Sequence, residues 1–209
     1  MKVAVVSESP ADEAAVKILV DAIAGQETEL VSRRLRPNGW PNVLQILPAI
    51  IKELHYATIA DSIAVVVDSD RSPVHDNSHA MDHQSNSGCR LCLLRSCIET
   101  TISRLSTVPN RDFLKTAAGV AVPAIEAWYR CGLDPHVSEA RWIGHLAGEQ
   151  INFNKQTLKV DVYGSAQPGL QAATAGAASA ATRLTSNLEQ LRQLFPGGFN
   201  CFYSDIRNW

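Results

Sequence analysis

Ser62-Ile63-Ala64-Val65-Val66-Val67-Asp68-Ser69-Asp70 is the stretch on which the fold turns. Ser62 to Val67 is continuous in apolar character, without the alternation of a half-exposed strand. That is the pattern of a strand in the middle of a sheet covered on both faces. Working back from it, Val43, Leu47, Ile50, Ile51 and Leu54 recur at helical spacing, with Pro48 as a candidate kink. Glu29 to Arg36 reads as a strand. Before it, Ala15, Ile18, Leu19, Ala22 and Ile23 share one helical face that stops at Gly25. Ser9-Pro10-Ala11-Asp12-Glu13 carries the matching start signals: a capping serine, a first-turn proline and acids at the positive end of the helix dipole. Lys2 to Ser7 is the first strand. Strand–helix–strand–helix–strand predicts an α/β fold, a mostly parallel Rossmannoid sheet flanked by helices.

Downstream, residues 70–88 turn polar and read as a long loop. Leu91, Leu94, Ile98, Thr101 and Leu105 form a helical stripe, and Phe113 to Val122 a strand. Pro123 opens a helix carrying Ile125, Trp128 and Tyr129. Beyond it the pattern predicts a short helix over Ser138–Leu146 and a strand near Leu158–Tyr163. The alanine-rich Ala172–Ala181 reads as helix or connector, and a stripe from Leu184 through Leu188 and Leu191 to Phe195 is closed by Pro196-Gly197-Gly198. Residues 1–209 read as one domain, with a core over about 1–130 and a helical C-terminal extension over about 131–209.

The bulk numbers limit the function classes. A net charge of −2 exerts no global pull on nucleic acid, so such a partner needs a local basic patch or a bridging metal ion. No apolar run reaches the roughly 20 residues that span a bilayer. The opening Met1-Lys2-Val3-Ala4-Val5-Val6-Ser7-Glu8 runs into an acidic helix where a signal peptide would continue its apolar region, and a cytoplasmic location is expected. Five cysteines cannot all pair within one chain; in a reducing cytosol they are free thiols or metal ligands.

Ligands of a parallel sheet bind beyond the carboxyl ends of its strands. Glu8 and Asp68 fall at two such ends, and Asp70 lies two residues further on. Magnesium prefers hard oxygen ligands and keeps part of its water shell, so two or three convergent carboxylates hold it. Such an ion polarises phosphate and activates water. Arg71, directly after Asp70, is placed either to grip a phosphate or to offset the repulsion among the acids.

A glutamate closing the first strand, a helix, then an apolar strand ending in Asp68-Ser69-Asp70 resembles the Toprim domain of topoisomerases, primases and overcoming-lysogenization-defect (OLD) nucleases. Ala121-Val122-Pro123-Ala124-Ile125-Glu126-Ala127-Trp128 is similar to a segment of small stand-alone Toprim-like proteins, some encoded beside ATPases in bacterial defence loci. Two positions differ: Ser9-Pro10 stands where glycine often follows the glutamate, and Arg71-Ser72 where a third acid often follows. The resemblance implies a magnesium- or manganese-dependent nuclease acting on DNA or RNA, in phage defence. Its implied roles are Glu8 as acid/base or shared ligand, Asp68 and Asp70 as metal ligands, Glu126 as auxiliary ligand and Arg71 on a phosphate. It also implies a partner ATPase and admits a homo-oligomer. The alternative is a non-catalytic interaction module working with that ATPase.

Cys89-x-x-Cys92 and Cys97, downstream of His75, His79 and His83, pose a zinc question. Structural zinc sites usually take two paired knuckles, and one pair is present, so the cysteines are expected to be buried residues of a helix. His75 or His79 is read as a solvated loop residue or as a flank of the acidic site. Arg33, Arg34 and Arg36 read as a solvated strand edge, and Trp40, Trp128, Trp142 and Trp209 as core or interface anchors.

Overall fold

The computed structural model describes residues 1–76, 78, 79 and 88–209. It is an α/β structure with four parallel strands in the order β2-β1-β3-β4: β1 Lys2–Val6, β2 Glu29–Leu30, β3 Ser62–Asp68 and β4 Lys115–Ala121. Helix α1 (Pro10–Ala24) links β1 to β2, α2 (Trp40–Ala57) links β2 to β3, and α3 (Arg90–Ile102) links β3 to β4.

Alternate strand residues sort onto two apolar layers. Val3, Val5, Ala64, Val66 and Ala117 pack with α1, while Ala4, Val6, Ile63, Val65, Val67 and Val120 pack with α2 and α3. The step from β1 to β2 goes one way under α1, and the steps to β3 and β4 go the other way under α2 and α3. Opposite directions on opposite faces keep every crossover of one hand. The order therefore reverses between β1 and β3, and a crevice opens beyond their carboxyl ends.

Residues after β4 complete the α1 face. Here α4 (Ile125–Tyr129), α5 (Glu139–Leu146), α6 (Lys155–Tyr163), α7 (Leu170–Leu184), α8 (Leu188–Leu194) and α9 (Phe199–Arg207) follow one another. The alanine-rich stretch is helix: buried Ala177 and Ala181 let α7 lie close along α1. Helix α9 lies on β4, where Gly119 makes room; a Cβ there would sit 2.9 Å from Cβ of Phe202. These helices share the apolar layer of α1 rather than hanging from its edge.

Three elements differ from expectation. The second strand is only Glu29–Leu30, because beyond it the Arg33 side chain, not the backbone, bonds the Val5 carbonyl (3.1 Å) and pairs with Glu13. Arg33 is thus fastened, while Arg34 and Arg36 are exposed. The expected strand near Leu158–Tyr163 is α6, nucleated by a capping box between Asn154 and Thr157 and ended by Gly164 at φ 72. Helix α4 starts at Ile125 rather than Pro123. Trp128 and Trp142 are buried anchors; Trp40 and Trp209 are partly buried. Among the described residues no helix is long and apolar enough to cross a membrane.

Candidate functional site

Glu8 and Asp68 meet beyond the ends of β1 and β3. The Asp68 backbone N–H donates to Glu8 Oε1 at 2.9 Å. The turn after β3 is sewn to the turn after β4: Asp68 Oδ1 accepts from the Ile125 N–H and the Asp70 N–H donates to the Pro123 carbonyl, both at 2.9 Å. Asp70 takes a left-handed conformation, φ 51, which aspartate tolerates better than most residues.

Glu126 is 4% exposed, and its Oε2 has no hydrogen-bond partner. It does not face open solvent. It lines a cleft of about 530 Å³ together with Glu8, Asp12 and Asp68, with Lys155, Lys159 and Tyr163 on the α6 side. Asp12, in the first turn of α1, bonds through Oδ2 to the Ser9 hydroxyl at 2.8 Å.

Two cations enter this cluster. Lys155 Nζ lies 2.8 Å from Asp68 Oδ2 and 2.5 Å from Asp70 Oδ1. Arg90, first residue of α3, reaches Asp70 Oδ2 at 2.7 Å and donates to the Asp68 carbonyl at 2.5 Å, with Glu8 Oε1 3.9 Å away. Its guanidinium sits 4.9 Å from the centre of the Trp40 ring. Arg71 is exposed and makes no ion pair with a described residue, so it does not balance the acids. The turn explains this, since the Ser72 N–H bonds back to the Ser69 carbonyl at 2.9 Å and Arg71 lies on its outer side.

Crowding and burial show in the protonation of the acids. Burial, then the Asp68 charge, pushes Asp12 and Glu126 each up to about 7 and raises Glu8. Burial also acts to raise Asp70, but Lys155 and Arg90 outweigh it and hold that carboxyl below the usual range. Burial opposes the charge on Lys155, yet Asp68 and Asp70 keep its ammonium well above its ordinary value. Burial and then the Glu126 charge raise the Tyr163 phenol. The donor set of Glu8, Asp68, Asp70 and Glu126 is all hard oxygen, and one of those oxygens is buried without a partner. Hard oxygen donors are the kind magnesium or manganese takes, although among the described residues these four do not form a group whose ligand atoms all lie within 4.8 Å of one another.

A second cluster lies on the other side of Arg90. His75, His79, Cys89 and Cys92 are all buried and offer ligand atoms within 4.8 Å of one another. The expectation that either histidine is solvated or flanks the acids is corrected: both join the cysteines. Cys97 instead lies near the Leu44 carbonyl, 4.0 Å away, and His83 is outside the described residues.

No protein-family model, curated protein or solved structure matches the chain.

Sequence reasoning did not single out Asp12, Arg90 or Lys155 for the acidic site. Asp12 had a usable signal, lying four residues after Glu8 on the first turn of the adjoining helix. Lys155 had none, since nothing local ties α6 to β3.

Proposed function

We propose that the cleft is a magnesium- or manganese-dependent phosphodiester hydrolase site of Toprim type, acting on DNA or RNA. The observation that carries this reading is that Glu8, Asp68 and Glu126 line one cleft at the point where the strand order reverses, with Asp70 tied to Asp68 through Lys155. Burial first and the Asp68 charge second raise the carboxyls of Glu8, Asp12 and Glu126, and acids perturbed in this way inside a cleft are common at functional sites. The sequence resemblance supplies the reaction class.

In this reading Asp68, Asp70 and Glu8 hold the ion, with Glu126 as a further oxygen ligand. A bound divalent ion supplies Lewis-acid polarisation of the phosphodiester and a water of lowered pKa. With an ion in the site, Lys155 would be free to meet the phosphate, and Lys159 on the same cleft wall would add a second positive charge. Arg90 keeps the Asp70 carboxylate in place.

The experiment is cleavage of single-stranded DNA, duplex DNA and RNA by the full chain with manganese or magnesium, beside Asp68→Asn. Metal-dependent cleavage lost by at least about 100-fold in Asp68→Asn is expected, since the ion's charge stabilisation is worth several kcal/mol. No cleavage of any substrate, together with no manganese binding at millimolar concentration, rejects the reading.

One observation favours a second reading, a non-catalytic module working with a partner ATPase. Lys155 already bridges Asp68 and Asp70, and a fixed ammonium there would replace the ion permanently.

A further inference from the structure

We propose that His75, His79, Cys89 and Cys92 form a structural Zn²⁺ site that closes the loop after Asp70 onto the start of α3. The proposal is independent of the hydrolase reading, because none of the four residues belongs to the acidic cleft.

The geometry comes first. Tetrahedral zinc with bonds of about 2.3 Å to sulfur and about 2.05 Å to nitrogen separates a nitrogen from a sulfur ligand by about 3.6 Å. His75 Nδ1 stands 3.7 Å from Cys89 Sγ and 3.5 Å from Cys92 Sγ. Two of the six edges of the tetrahedron are thus already at the required length. His79 adds the fourth corner, its ring centre 5.3 Å from that of His75.

Orientation follows. His79 is buried, and its Nδ1 has no hydrogen-bond partner. Its other nitrogen, Nε2, faces Asp76 Oδ1 at 4.0 Å. A metal-bound imidazole commonly turns its remote N–H toward a carboxylate, which fixes the tautomer and strengthens the ligand. Nδ1 toward the metal and Nε2 toward Asp76 is that arrangement.

Chemistry selects the ion. Two thiols and two imidazoles are a poor set for magnesium, manganese or calcium and a good one for zinc. Cys89 caps α3 and Cys92 lies in its first turn, so one helix start carries both sulfurs. Four protein ligands, all buried, leave no open coordination position, so the site is structural rather than catalytic. Arg90 lies between the two cysteines in sequence. Fixing Cys89 and Cys92 to one ion fixes the helix start from which Arg90 reaches Asp70 and the Asp68 carbonyl.

Metal analysis of the full chain, purified without chelator, is the test. About one zinc per chain is expected. After zinc is replaced by Co²⁺, the visible bands of a tetrahedral dithiolate site are expected. Cys92→Ser should lose both signals and Cys97→Ser keep both. If Cys92→Ser does not fold, His79→Ala is measured instead, with at least about tenfold weaker zinc affinity against a chromophoric chelator expected. A chain that carries under about a tenth of an equivalent of zinc and gives no cobalt bands on titration overturns the proposal. So does retention of zinc at full affinity in His79→Ala, or loss of zinc in Cys97→Ser.

Discussion

The acidic cleft and the histidine–cysteine cluster sit on either side of Arg90, and they handle a cation in opposite ways. In the cleft the chain brings five carboxylates near one another and then supplies its own countercharges, Lys155 and Arg90. An ion entering there has to displace an ammonium and leaves again cheaply. In the second cluster two nitrogen–sulfur distances already match a tetrahedral metal. In the readings proposed above, one cluster would serve exchange and the other permanence. The comparison teaches that ligand type and preformed geometry say more about a metal's role than the number of ligating groups.

Metal removal should separate the two most sharply. Stripping zinc with a chelator that ignores magnesium should lower the melting temperature by at least about 10 °C. For a chain of this size that is only about 3 kcal/mol, well within the free energy of a structural zinc. Withdrawing magnesium or manganese should shift the melting temperature by no more than about 2 °C, because Lys155 takes the ion's place. Differential scanning calorimetry reads both. Equal shifts would erase the distinction.

Gly197→Ala should come next in size, and it strikes the second cluster through the backbone. A Cβ on Gly197 would fall 2.0 Å from the His75 carbonyl oxygen and 2.7 Å from Glu139 Oε1. Glu139 is buried and accepts the N–H groups of Gly197 and Gly198 at 2.7 and 3.0 Å, so the turn cannot step aside without breaking those bonds. Overpacking of this kind costs about 3 kcal/mol. The expected result is a melting temperature lower by about 5–10 °C and weakened zinc affinity, with manganese binding unchanged. Calorimetry with zinc and with manganese checks it.

The sheet was legible in the sequence because its signals are local. Ser62–Val67 reads as a doubly covered strand from composition alone, and Ser9, Pro10 and Gly25 bracket α1 as their backbone preferences require. Glu8 and Asp68 were legible because strand ends fix them, and Glu126 only through the resemblance of the segment 121–128. What could not be read depended on distant partners. The Leu158, Val160, Val162 alternation suggests a strand, and only the Asn154–Thr157 capping box makes it a helix. The helix α9 follows a Pro-Gly-Gly turn that reads as an end, and its place is set by the gap at Gly119. Lys155 reaches Asp70 across 85 residues of sequence. The histidine–cysteine cluster was raised in the sequence but set aside, because a paired-knuckle rule looks for a second cysteine pair, whereas here two histidines from the preceding loop stand at the other two corners.

Glu126→Gln should be smaller in effect and visible mainly through pH. The folded pKa of Glu126, about 7, lies above the ordinary value of about 4.5. The folded state therefore holds a proton that the unfolded state releases between those two values, and stability falls as pH rises through that window. Glutamine mimics the protonated acid and should remove part of the slope. Wild type and variant should match near pH 4, and the variant should be more stable by about 2 kcal/mol at pH 8. The difference is shared with Asp12, which titrates in the same range beside the same Asp68, so the pair responds as a unit. Adding manganese at pH 8 should narrow the gap slightly, by stabilising wild type more than the variant. Parallel curves for the two proteins across pH 4–8 would remove Glu126 from the site.

Lys155→Met carries the smallest expected change in stability, and its sign decides between the two readings of the cleft. Methionine keeps much of the apolar stem and removes the charge. The ammonium is 36% exposed, so its ion pairs with Asp68 and Asp70 are screened by solvent and worth no more than about 1 kcal/mol. If Lys155 is a placeholder for a divalent ion, the variant loses that small stability and binds manganese about three- to tenfold more tightly, because nothing has to be displaced. Cleavage should then fall, since the phosphate loses the ammonium that would meet it. If Lys155 is instead a permanent substitute for the ion, its removal leaves Asp68 and Asp70 facing each other with only Arg90 as countercharge. The cost should then exceed about 2 kcal/mol, as expected when one partner of a partly buried network is removed. Manganese should not restore the loss. Isothermal titration with manganese and thermal melts of the same preparation distinguish the outcomes, because tighter ion binding follows only from a site whose carboxylates were arranged for an ion in the first place.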